Sequence, residues 1–357
     1  MAGIRDVARL AGVSQATASR ALSGKGSVSA RAREAVTAAA SELGFVMSYH
    51  ASSLASGRSH NIGVVLPFVN RWYFATLLEG ANSALMDAGY DLTLYDFQGD
   101  RYRESVLGDF LLRKRLDGVL AVSLQLNAHE TEQILAAGIP VVGVGGPLPE
   151  IPTLRIDDVE VGRRATNHLI SLGHARVAHL GGEHEYGRNF EISSGRRAGY
   201  EEAMAEAGLP LREAWSLISD YSANDAYKET KQLLADAEER PTAIFCASDE
   251  MAFGAMLAAR DLGLRIPEEL SVIGVDGHEM GEILGLTTID QFPRNQGTRA
   301  VERLLALVQD DDGGAAGPAD ELMQTRLVVR SSTSAPRTPD RQTRSGQSGS
   351  ASTVGRP

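Results

Sequence analysis

The 357-residue sequence predicts an α/β protein with a small helical domain at its N-terminus and two doubly wound lobes after it. Three observations predict this fold class. Residues 4–22 show the periodicity of two short helices separated by a turn. From Asn61 onward, short apolar runs alternate with helical stretches, as in doubly wound parallel sheets. The alternation begins again after Asp157, which indicates a second lobe of the same kind.

The N-terminal pattern is that of a helix-turn-helix. The apolar residues of the first helix share one face: Ile4, Val7, Ala8 and Ala11. Gly12-Val13 breaks the periodicity, and Ser14 is placed to cap a second helix. The exposed side of that helix carries small residues, one amide and one guanidinium: Gln15, Ala16, Ser19 and Arg20. Amide and guanidinium groups can pair with base edges in a major groove, so the pattern predicts DNA reading. A structural hairpin would more often carry Glu/Lys pairs there.

A third helix is predicted to follow Ser29 as its N-cap and to stop at Gly44. Its buried stripe consists of Val36, Ala39, Ala40 and Leu43. Residues 46–60 are small and polar around one isolated leucine, Leu54, which is the composition of a linker.

The charge distribution supports a DNA-binding head. The chain is acidic overall, with a net charge of −11. Residues 1–60 nevertheless carry seven Lys/Arg and three acids, and residues 331–357 carry four Arg and one Asp. The rest of the chain therefore has a net charge of −18. A basic head on an acidic body attracts an anionic partner to the head and repels it elsewhere.

Eight apolar runs predict the buried strands of the two lobes. Those of the first lobe are Ile62–Leu66, Leu92–Tyr95, Gly118–Val122 and Val141–Val144, and those of the second are Val177–Leu180, Trp215–Ile218, Ala243–Cys246 and Val272–Val275. Residues 286–330 are too few for a third lobe, so we expect them to cross between the two. Residues 331–357 are rich in Ser, Thr, Gly, Pro and Arg with almost no apolar residues, which predicts a disordered tail.

The sequence also predicts the compartment. The single cysteine, Cys246, excludes an intramolecular disulfide framework and suits a reducing cytosol. No apolar signal core precedes the helix-turn-helix, and no run of 18 apolar residues occurs. We therefore expect a cytoplasmic protein that is neither secreted nor inserted in a membrane.

Helix-turn-helix, linker and two lobes together resemble the LacI/GalR (lactose-repressor) family of bacterial transcription regulators, over roughly residues 4–330. The family's opening motif, I-x-D-V-A-x-x-A-G-V-S-x-x-T-V-S-R-x-L, appears here as Ile4 to Leu22 with Ala18 in place of the usual valine. Further matches occur in the family's order: Val28-Ser29, Leu43-Gly44-Phe45, Ile62-Gly63, Asp157, Leu172-Gly173-His174, Arg196 with Gly199, Ser248-Asp249, Val275-Asp276 and Thr287-Thr288-Ile289.

The resemblance implies a domain plan with a periplasmic-binding-protein-like core. The expected parts are a helix-turn-helix DNA-binding domain (1–45), a hinge (46–60), an effector-binding and dimerisation domain (61–330) and a disordered tail (331–357). Within the core, the N-lobe is expected to take about 61–158 and 291–322, and the C-lobe about 159–290 and 323–330.

The resemblance also implies roles at the DNA. Gln15, Ala16 and Arg20 would read bases, while Ser14, Thr17 and Ser19 would hold phosphates. Leu54 aligns with a hinge leucine that family members wedge into the minor groove at the operator centre. An apolar wedge unstacks a base step and permits a bend with further contacts. Without the resemblance, Leu54 is simply a linker residue.

An effector cleft between the lobes is implied in turn, since ligands of such folds lie beyond the carboxyl ends of strands. Arg196 and Asp276 align with residues that hydrogen-bond sugar hydroxyls. Five further residues fall at cleft positions: Trp72, Tyr73, Tyr221, Ser248 and Asp249. The alternatives are ordinary packing for each aromatic ring and helix capping for Asp249. Gly145-Gly146 stands where many members have Asp-Arg, so effectors other than the usual neutral hexose stay open.

Two other functions are disfavoured by the sequence. An enzyme is disfavoured because no G-x-G-x-x-G follows the first strand and neither a Walker loop nor a G-x-S-x-G elbow occurs. His174, His179 and His184 are five residues apart across a strand and a turn, a spacing that predicts no metal site. Cys246 has no adjacent base to make it a nucleophile. The second rival is a solute-binding sensor module with a secondary DNA role, which the helix-turn-helix and the missing signal peptide disfavour.

The sequence therefore predicts a cytoplasmic bacterial transcription regulator, a repressor, that is nucleoid-associated when bound to its operator. We expect it to bind double-stranded palindromic operator DNA as a homodimer, with a tetramer left open. A sugar-like small molecule in the cleft is expected to control it allosterically. No cofactor, metal or membrane partner is expected.

Overall fold

The computed structural model of the protein describes residues 2–23, 27–45, 58–96, 116–148, 150–182, 191–310 and 320–337. Three helices form the N-terminal domain: α1 (Ile4–Leu10), α2 (Gln15–Ser23) and α3 (Ala30–Glu42). Val7, Ala18 and Val36, one from each helix, are fully buried in its core. Ser14 Oγ accepts the N–H of Thr17 at 3.1 Å, and Ser29 caps α3, so both predicted caps are confirmed.

A six-stranded parallel sheet with the order β11-β5-β4-β3-β1-β2 forms the first lobe, called the N-lobe below. Its strands are β1 (Asn61–Leu66), β2 (Asp91–Asp96), β3 (Gly118–Val122), β4 (Val141–Val144), β5 (Thr153–Arg155) and β11 (Asp320–Leu322). Its helices are α4 (Trp72–Asp87), α5 (Ala128–Ala136) and α11 (Pro293–Gln309). Helices α4 and α11 pack on each other and share the buried core with the sheet.

The second lobe, the C-lobe, is built on a sheet with the order β12-β10-β9-β8-β6-β7, parallel except for β12. Its strands are β6 (Val177–Gly182), β7 (Ser216–Ser219), β8 (Ala243–Cys246), β9 (Ser271–Asp276), β10 (Thr287–Asp290) and β12 (Arg326–Val328). Its helices are α6 (Asp158–Ser171), α7 (Glu191–Glu206), α8 (Ala223–Ala235), α9 (Asp249–Asp261) and α10 (Met280–Leu284).

The chain passes between the two lobes three times. It leaves the N-sheet after β5, returns from β10 to α11, and leaves again between β11 and β12. Three parallel connections of this kind allow the lobes to rotate about a common hinge. None of the described helices is both long and apolar enough to cross a membrane.

Seven of the eight predicted apolar runs lie within strands, and three match their strands end to end: β3, β4 and β8. The eighth starts too early. Trp215 ends a 3-10 turn, Glu213–Trp215, where its buried indole N–H donates to the carbonyl oxygen of Glu239 at 2.8 Å, so β7 begins only at Ser216.

The prediction of a disordered tail from residue 331 is wrong for residues 331–337, which pack on the C-lobe. Ser332 is 1% exposed, and its backbone bonds to residues of the C-lobe. The carbonyl oxygen of Ser334 lies 2.8 Å from Nε2 of the buried His174. Hydrogen bonds, not apolar side chains, hold this segment, so its composition gives no sign of it. Residues 338–357 lie outside the described residues.

Candidate DNA-binding surface and effector cleft

The outward face of α2 carries the predicted base-reading residues. Gln15, Ala16, Ser19 and Arg20 are all exposed, while Ala18 and Ala21 on the opposite side are buried. The exposed face therefore carries one amide and one guanidinium, and its other side chains are small enough for the helix to approach base edges closely. Leu54 and the rest of the predicted hinge up to residue 57 lie outside the described residues.

The N-terminus of α2 is organised by two hydroxyls predicted to contact phosphates. Besides accepting the Thr17 N–H, Ser14 Oγ lies 2.8 Å from the hydroxyl of Thr17. On α1, Arg9 is paired with Asp6 at 2.6 Å, and Arg5 is exposed. A helix N-terminus with its own hydroxyls is a surface on which a phosphate can be held.

A cavity of about 80 Å³ lies between the two lobes. It is lined by Phe68, Arg71, Tyr73, Phe74, Ser123, Gly145, Ile156, Asp158, Ile192, Arg196, Tyr221, Ser248, Glu250, Asp276, Gln291 and Gln296. Several of these residues stand at or just after the carboxyl ends of parallel strands in both sheets, including Ser123 after β3 and Asp276 at the end of β9. This is the edge at which α/β folds bind ligands. The cavity contains five of the seven predicted effector residues: Tyr73, Arg196, Tyr221, Ser248 and Asp276.

Arg196 is held rigidly at the C-lobe wall of the cavity. Gly162 of α6 and Gly199 of α7 let the two helices approach so closely that a Cβ on either would collide with backbone of the other. The approach brings the buried Arg196 Nε to 2.9 Å from Asp158 Oδ1 at the start of α6. A second nitrogen of Arg196 donates to the carbonyl oxygen of Ala247. Burial raises the pKa of Asp158, and the Arg196 charge opposes that rise.

Asp276 occupies a strained and buried position at the end of β9. Its φ of 131° lies in the region that L-residues avoid, which marks it as a position where the fold overrides local preference. The Gln291 amide donates to Asp276 Oδ1 at 2.6 Å. Burial and, next, the carboxylate of Asp249 raise the pKa of Asp276 well above its usual value, while Arg196 opposes the rise.

A chain of hydrogen bonds joins Asp276 of the C-lobe to α4 of the N-lobe. After Gln291, the next link is Gln296 of α11, whose amide donates to the Gln291 carbonyl oxygen at 2.6 Å. The hydroxyl of Tyr73 then donates to Gln296 Oε1 at 2.8 Å. Burial raises the pKa of Tyr73, and the Asp276 charge adds to it, so Tyr73 remains a donor. These bonds connect the C-lobe wall of the cavity with the N-lobe.

The structure corrects the expectation for Asp249. The residue is fully buried and does not line the cavity. Its carboxylate accepts the Thr288 hydroxyl at 2.7 Å and the N–H groups of Gly277 and His278 at 3.0 and 2.8 Å, which fixes the loop after β9. Burial raises the pKa of Asp249 to about 6. The helix cap is Ser248, whose Oγ accepts the Met251 N–H.

Trp72 also lies outside the cavity lining. Its ring stacks on His278 of the C-lobe, with ring centroids 4.4 Å apart and 16° between the planes. The sequence analysis placed Trp72 in the cleft with ordinary packing as the alternative, and packing across the two lobes is what the structure contains. The apolar cavity walls instead come from Phe68, Phe74, Ile156 and Ile192.

Sequence reasoning missed several polar cavity residues. Asp158 and Glu250 directly follow Asp157 and Asp249, so a wider window around those two residues would have found them, and Arg71 lies within the Asn70–Tyr73 segment, which the resemblance places at the cleft. Gln291 and Gln296 carried no signal, because a glutamine in a loop or helix has no spacing rule of its own.

His174, His179 and Cys246 are buried in the C-lobe. His174 is bonded to Thr242, Ser271 and Ser334. Burial lowers the pKa of His179 to about 3 and raises that of Cys246. Within the described ranges no group of three or more potential ligands could hold a metal ion, and His184 lies outside those ranges.

Comparison with known proteins gives a family match for the N-terminal domain and another for the two-lobed core. Residues 3–48 match bacterial regulatory proteins of the lacI family, and residues 166–333 match a periplasmic binding protein-like domain. The HTH-type transcriptional repressor PurR of Vibrio vulnificus is 35% identical over 317 residues, which cover 87% of this chain and 93% of that protein. The HTH-type transcriptional repressor CytR of Escherichia coli K12 is 31% identical over 338 residues, covering 94% and 97%.

A solved structure of the lac repressor dimer bound to operator and the anti-inducer ONPF superposes with a TM-score of 0.81 at 28% identity, covering 94% of this chain and 99% of that one. PurR and CytR are named as HTH-type transcriptional repressors, and the lac repressor structure is bound to operator, which favours a regulator over a solute-binding module or an enzyme. The chain therefore belongs to the LacI family of bacterial regulatory proteins, as a ligand-responsive, DNA-binding transcriptional repressor and not an enzyme.

Proposed function

We propose that the protein is a cytoplasmic homodimer that represses transcription from a palindromic operator on nucleoid DNA, and that a sugar-like metabolite in the inter-lobe cleft changes its operator affinity. The observation that carries the effector part is the hydrogen-bond chain from Asp276 to Tyr73, which ties the cavity to both lobes. A ligand that replaces or tightens any link changes the relative free energy of lobe arrangements, which is what allosteric control requires.

For DNA, we assign base reading to Gln15, Ala16 and Arg20 on the exposed face of α2. The hydroxyls of Ser14, Thr17 and Ser19 are assigned to phosphates. Leu54 remains a proposed minor-groove wedge in the hinge. One helix reads only a short half-site, so two-fold symmetry of the protein supplies the second half-site.

The dimer is supported by an apolar surface on the C-lobe. Helix α10 exposes Met280, Ile283 and Leu284 to 42%, 77% and 44%. Three large apolar side chains on five residues form a patch that a second copy can cover isologously. The lac repressor structure is itself a dimer. Replacing Ile283 with Asp is expected to shift sedimentation toward the monomer and weaken operator binding. A variant that remains dimeric would remove α10 from the interface.

The chemistry of the cavity favours a ring-shaped ligand with hydroxyl groups. Asp276 and Arg196 offer a carboxylate and a guanidinium at the C-lobe wall, and Phe68 and Phe74 offer apolar faces. The hydroxyl of Tyr221 is buried with no hydrogen-bond partner in the described part of the chain. A buried hydroxyl without a partner is uncommon in native structures, and a ligand hydroxyl would satisfy it. A sugar or the ribose end of a nucleoside carries both the apolar face and the hydroxyls.

Two linked experiments test the proposal with the full chain. Selection from a random DNA pool is expected to yield a two-fold symmetric operator, and an asymmetric or unspecific outcome would contradict the dimeric reading. Thermal-shift screening against sugars, sugar phosphates and nucleosides is expected to find a stabilising compound, since a specific ligand stabilises by mass action. That compound must then change affinity for the selected operator. A hit with no effect on DNA binding would contradict allosteric control by the cleft.

A further inference from the structure

The N-terminal end of α4 contacts the C-lobe through two residues, the N-cap Arg71 and the first helical residue Trp72. Arg71 Nη2 donates to the carbonyl oxygen of Asp220 at 3.2 Å and lies 3.9 Å from its Oδ2. The backbone N–H of Trp72 donates to Glu250 Oε2 at 3.2 Å. Asp220 follows β7 and Glu250 belongs to α9, so both contacts cross from one lobe to the other.

The third contact is the stack of Trp72 on His278. The histidine is fixed within the C-lobe, because its N–H donates to Asp249 at 2.8 Å and its Nδ1 accepts the Met280 N–H at 3.0 Å. Its other ring contact is edge-on to Phe253 of α9, with centroids 5.1 Å apart. The imidazole is therefore a rigid platform, and stacking of Trp72 on it depends on where the N-lobe stands.

We propose that Arg71 and Trp72 form an inter-lobe latch that holds the two lobes together over the cavity in the absence of ligand. The latch spans Asp220, Glu250 and His278, which lie on three different segments of the C-lobe. A rotation of the lobes separates all three contacts at once, so they stabilise the closed arrangement together.

The latch and the cavity share a wall, because Arg71 and Glu250 also line the cavity. Opening the latch therefore uncovers the cavity, and closing it covers a bound ligand. In the described part of the chain, Nε of Arg71 is buried without a hydrogen-bond partner. A ligand acceptor at that nitrogen would tighten the latch. The latch thus sets how often the free protein opens. Its effect on ligand access rests on the proposed effector cleft, whereas the inter-lobe contacts that form the latch do not depend on that proposal.

Trp72 is a built-in reporter of the latch, because the chain has only two tryptophans. Trp215 is fully buried in the C-lobe and is shielded from a quencher in either arrangement. Acrylamide quenching of the wild-type chain, less that of Trp72→Phe, isolates the signal of Trp72. His278→Ala gives the reference for an uncovered indole.

The decisive variant is Arg71→Gln, which weakens one contact and leaves both stacked rings in place. Losing a hydrogen bond from a charged group is expected to lower the closed-to-open ratio about tenfold, and Trp72 quenching should rise toward the His278→Ala reference. Glu250→Ala removes the acceptor of the Trp72 N–H on the C-lobe side and should shift quenching in the same direction. The matched control is Arg294→Gln, which also removes one arginine charge but breaks an ion pair with Glu79 inside the N-lobe.

Wild-type quenching in both Arg71→Gln and Glu250→Ala would overturn the latch, since the stack would then be independent of the other contacts. An equal rise of Trp72 quenching in Arg294→Gln would also overturn the latch, because loss of a positive charge alone would then explain the result. Melting curves identify a variant that fails to fold, and the remaining one of the pair then decides. The test uses neither ligand nor DNA, so its failure leaves the proposed effector site standing.

Discussion

Replacing Ser332 with alanine is expected to destabilise the C-lobe more than a serine-to-alanine substitution usually does. The hydroxyl of Ser332 accepts the N–H of Thr287 at 2.8 Å and donates to the carbonyl oxygen of Val272 at 2.5 Å. The site is 1% exposed, so water cannot easily take over either bond. Each of the two orphaned buried groups costs about 1–3 kcal/mol, which gives about 2–6 kcal/mol in total. A chain of this size should melt on the order of 10 °C lower.

Ser331→Ala is the matched control, because Ser331 is the adjacent residue and is exposed. Differential scanning calorimetry and urea unfolding measure both variants, and the control is expected to stay within about 0.5 kcal/mol of the wild type. Truncation extends the comparison. A chain ending at Arg337 should unfold with the same free energy as the full chain, and a chain ending at Arg330 should be less stable. Equal stability of Ser332→Ala and Ser331→Ala, or of the two truncated chains, would refute the docking of residues 331–337.

Three further predictions concern DNA, effector and pH. Arg20→Ala should cost roughly 1–3 kcal/mol on the selected operator and relax preference at one symmetric base pair, and an equal loss on every sequence would contradict base reading. Arg196→Ala and Asp276→Ala should each abolish the effector response while operator binding persists, and a variant that still responds normally would remove that residue from the site. Burial lowers the pKa of His179 to about 3 in the folded state, so its contribution to stability is present above about pH 6.5 and is lost as the pH falls, by about 1.4 kcal/mol per unit down to about 3. Replacement of His179 by Phe should flatten the acid side of the stability profile in urea titrations, and an unchanged acid slope would show that other groups cause it.

The core strands and the helix-turn-helix were predictable because their burial requires apolar residues at regular positions in the sequence. Strands β3, β4 and β8 are buried on both faces, so each appears as an uninterrupted apolar run. Strands β5, β11 and β12 have three residues each and lie toward the outside of their sheets. A three-residue strand of mixed polarity has no periodicity from which to be found.

The candidate site was predictable to the level of segments and less so to the level of side chains. The motif around Asp276 located the carboxyl edge of β9, yet Asp249 and Trp72 turned out to serve the protein's own packing. Neighbouring residues on one helix turn face different ways: Tyr73 enters the cavity, whereas the Trp72 ring meets His278. Such choices depend on the angle between the lobes, which no local pattern encodes. The docking of Ser332 gave no sequence signal for a different reason: hydrogen bonds within the C-lobe, not apolar side chains, hold it in place.

Reciprocal coupling between operator and effector is the most direct test of the account. Operator affinity should be titrated by fluorescence anisotropy with and without the ligand found by screening, and ligand affinity should be measured by calorimetry with and without operator. The account predicts that the two affinities change by the same factor, corresponding to about 1–3 kcal/mol, and that Asp276→Ala abolishes the change. Ligand binding in the cleft that leaves operator affinity unchanged, or unequal factors in the two titrations, would contradict a repressor controlled through this cleft.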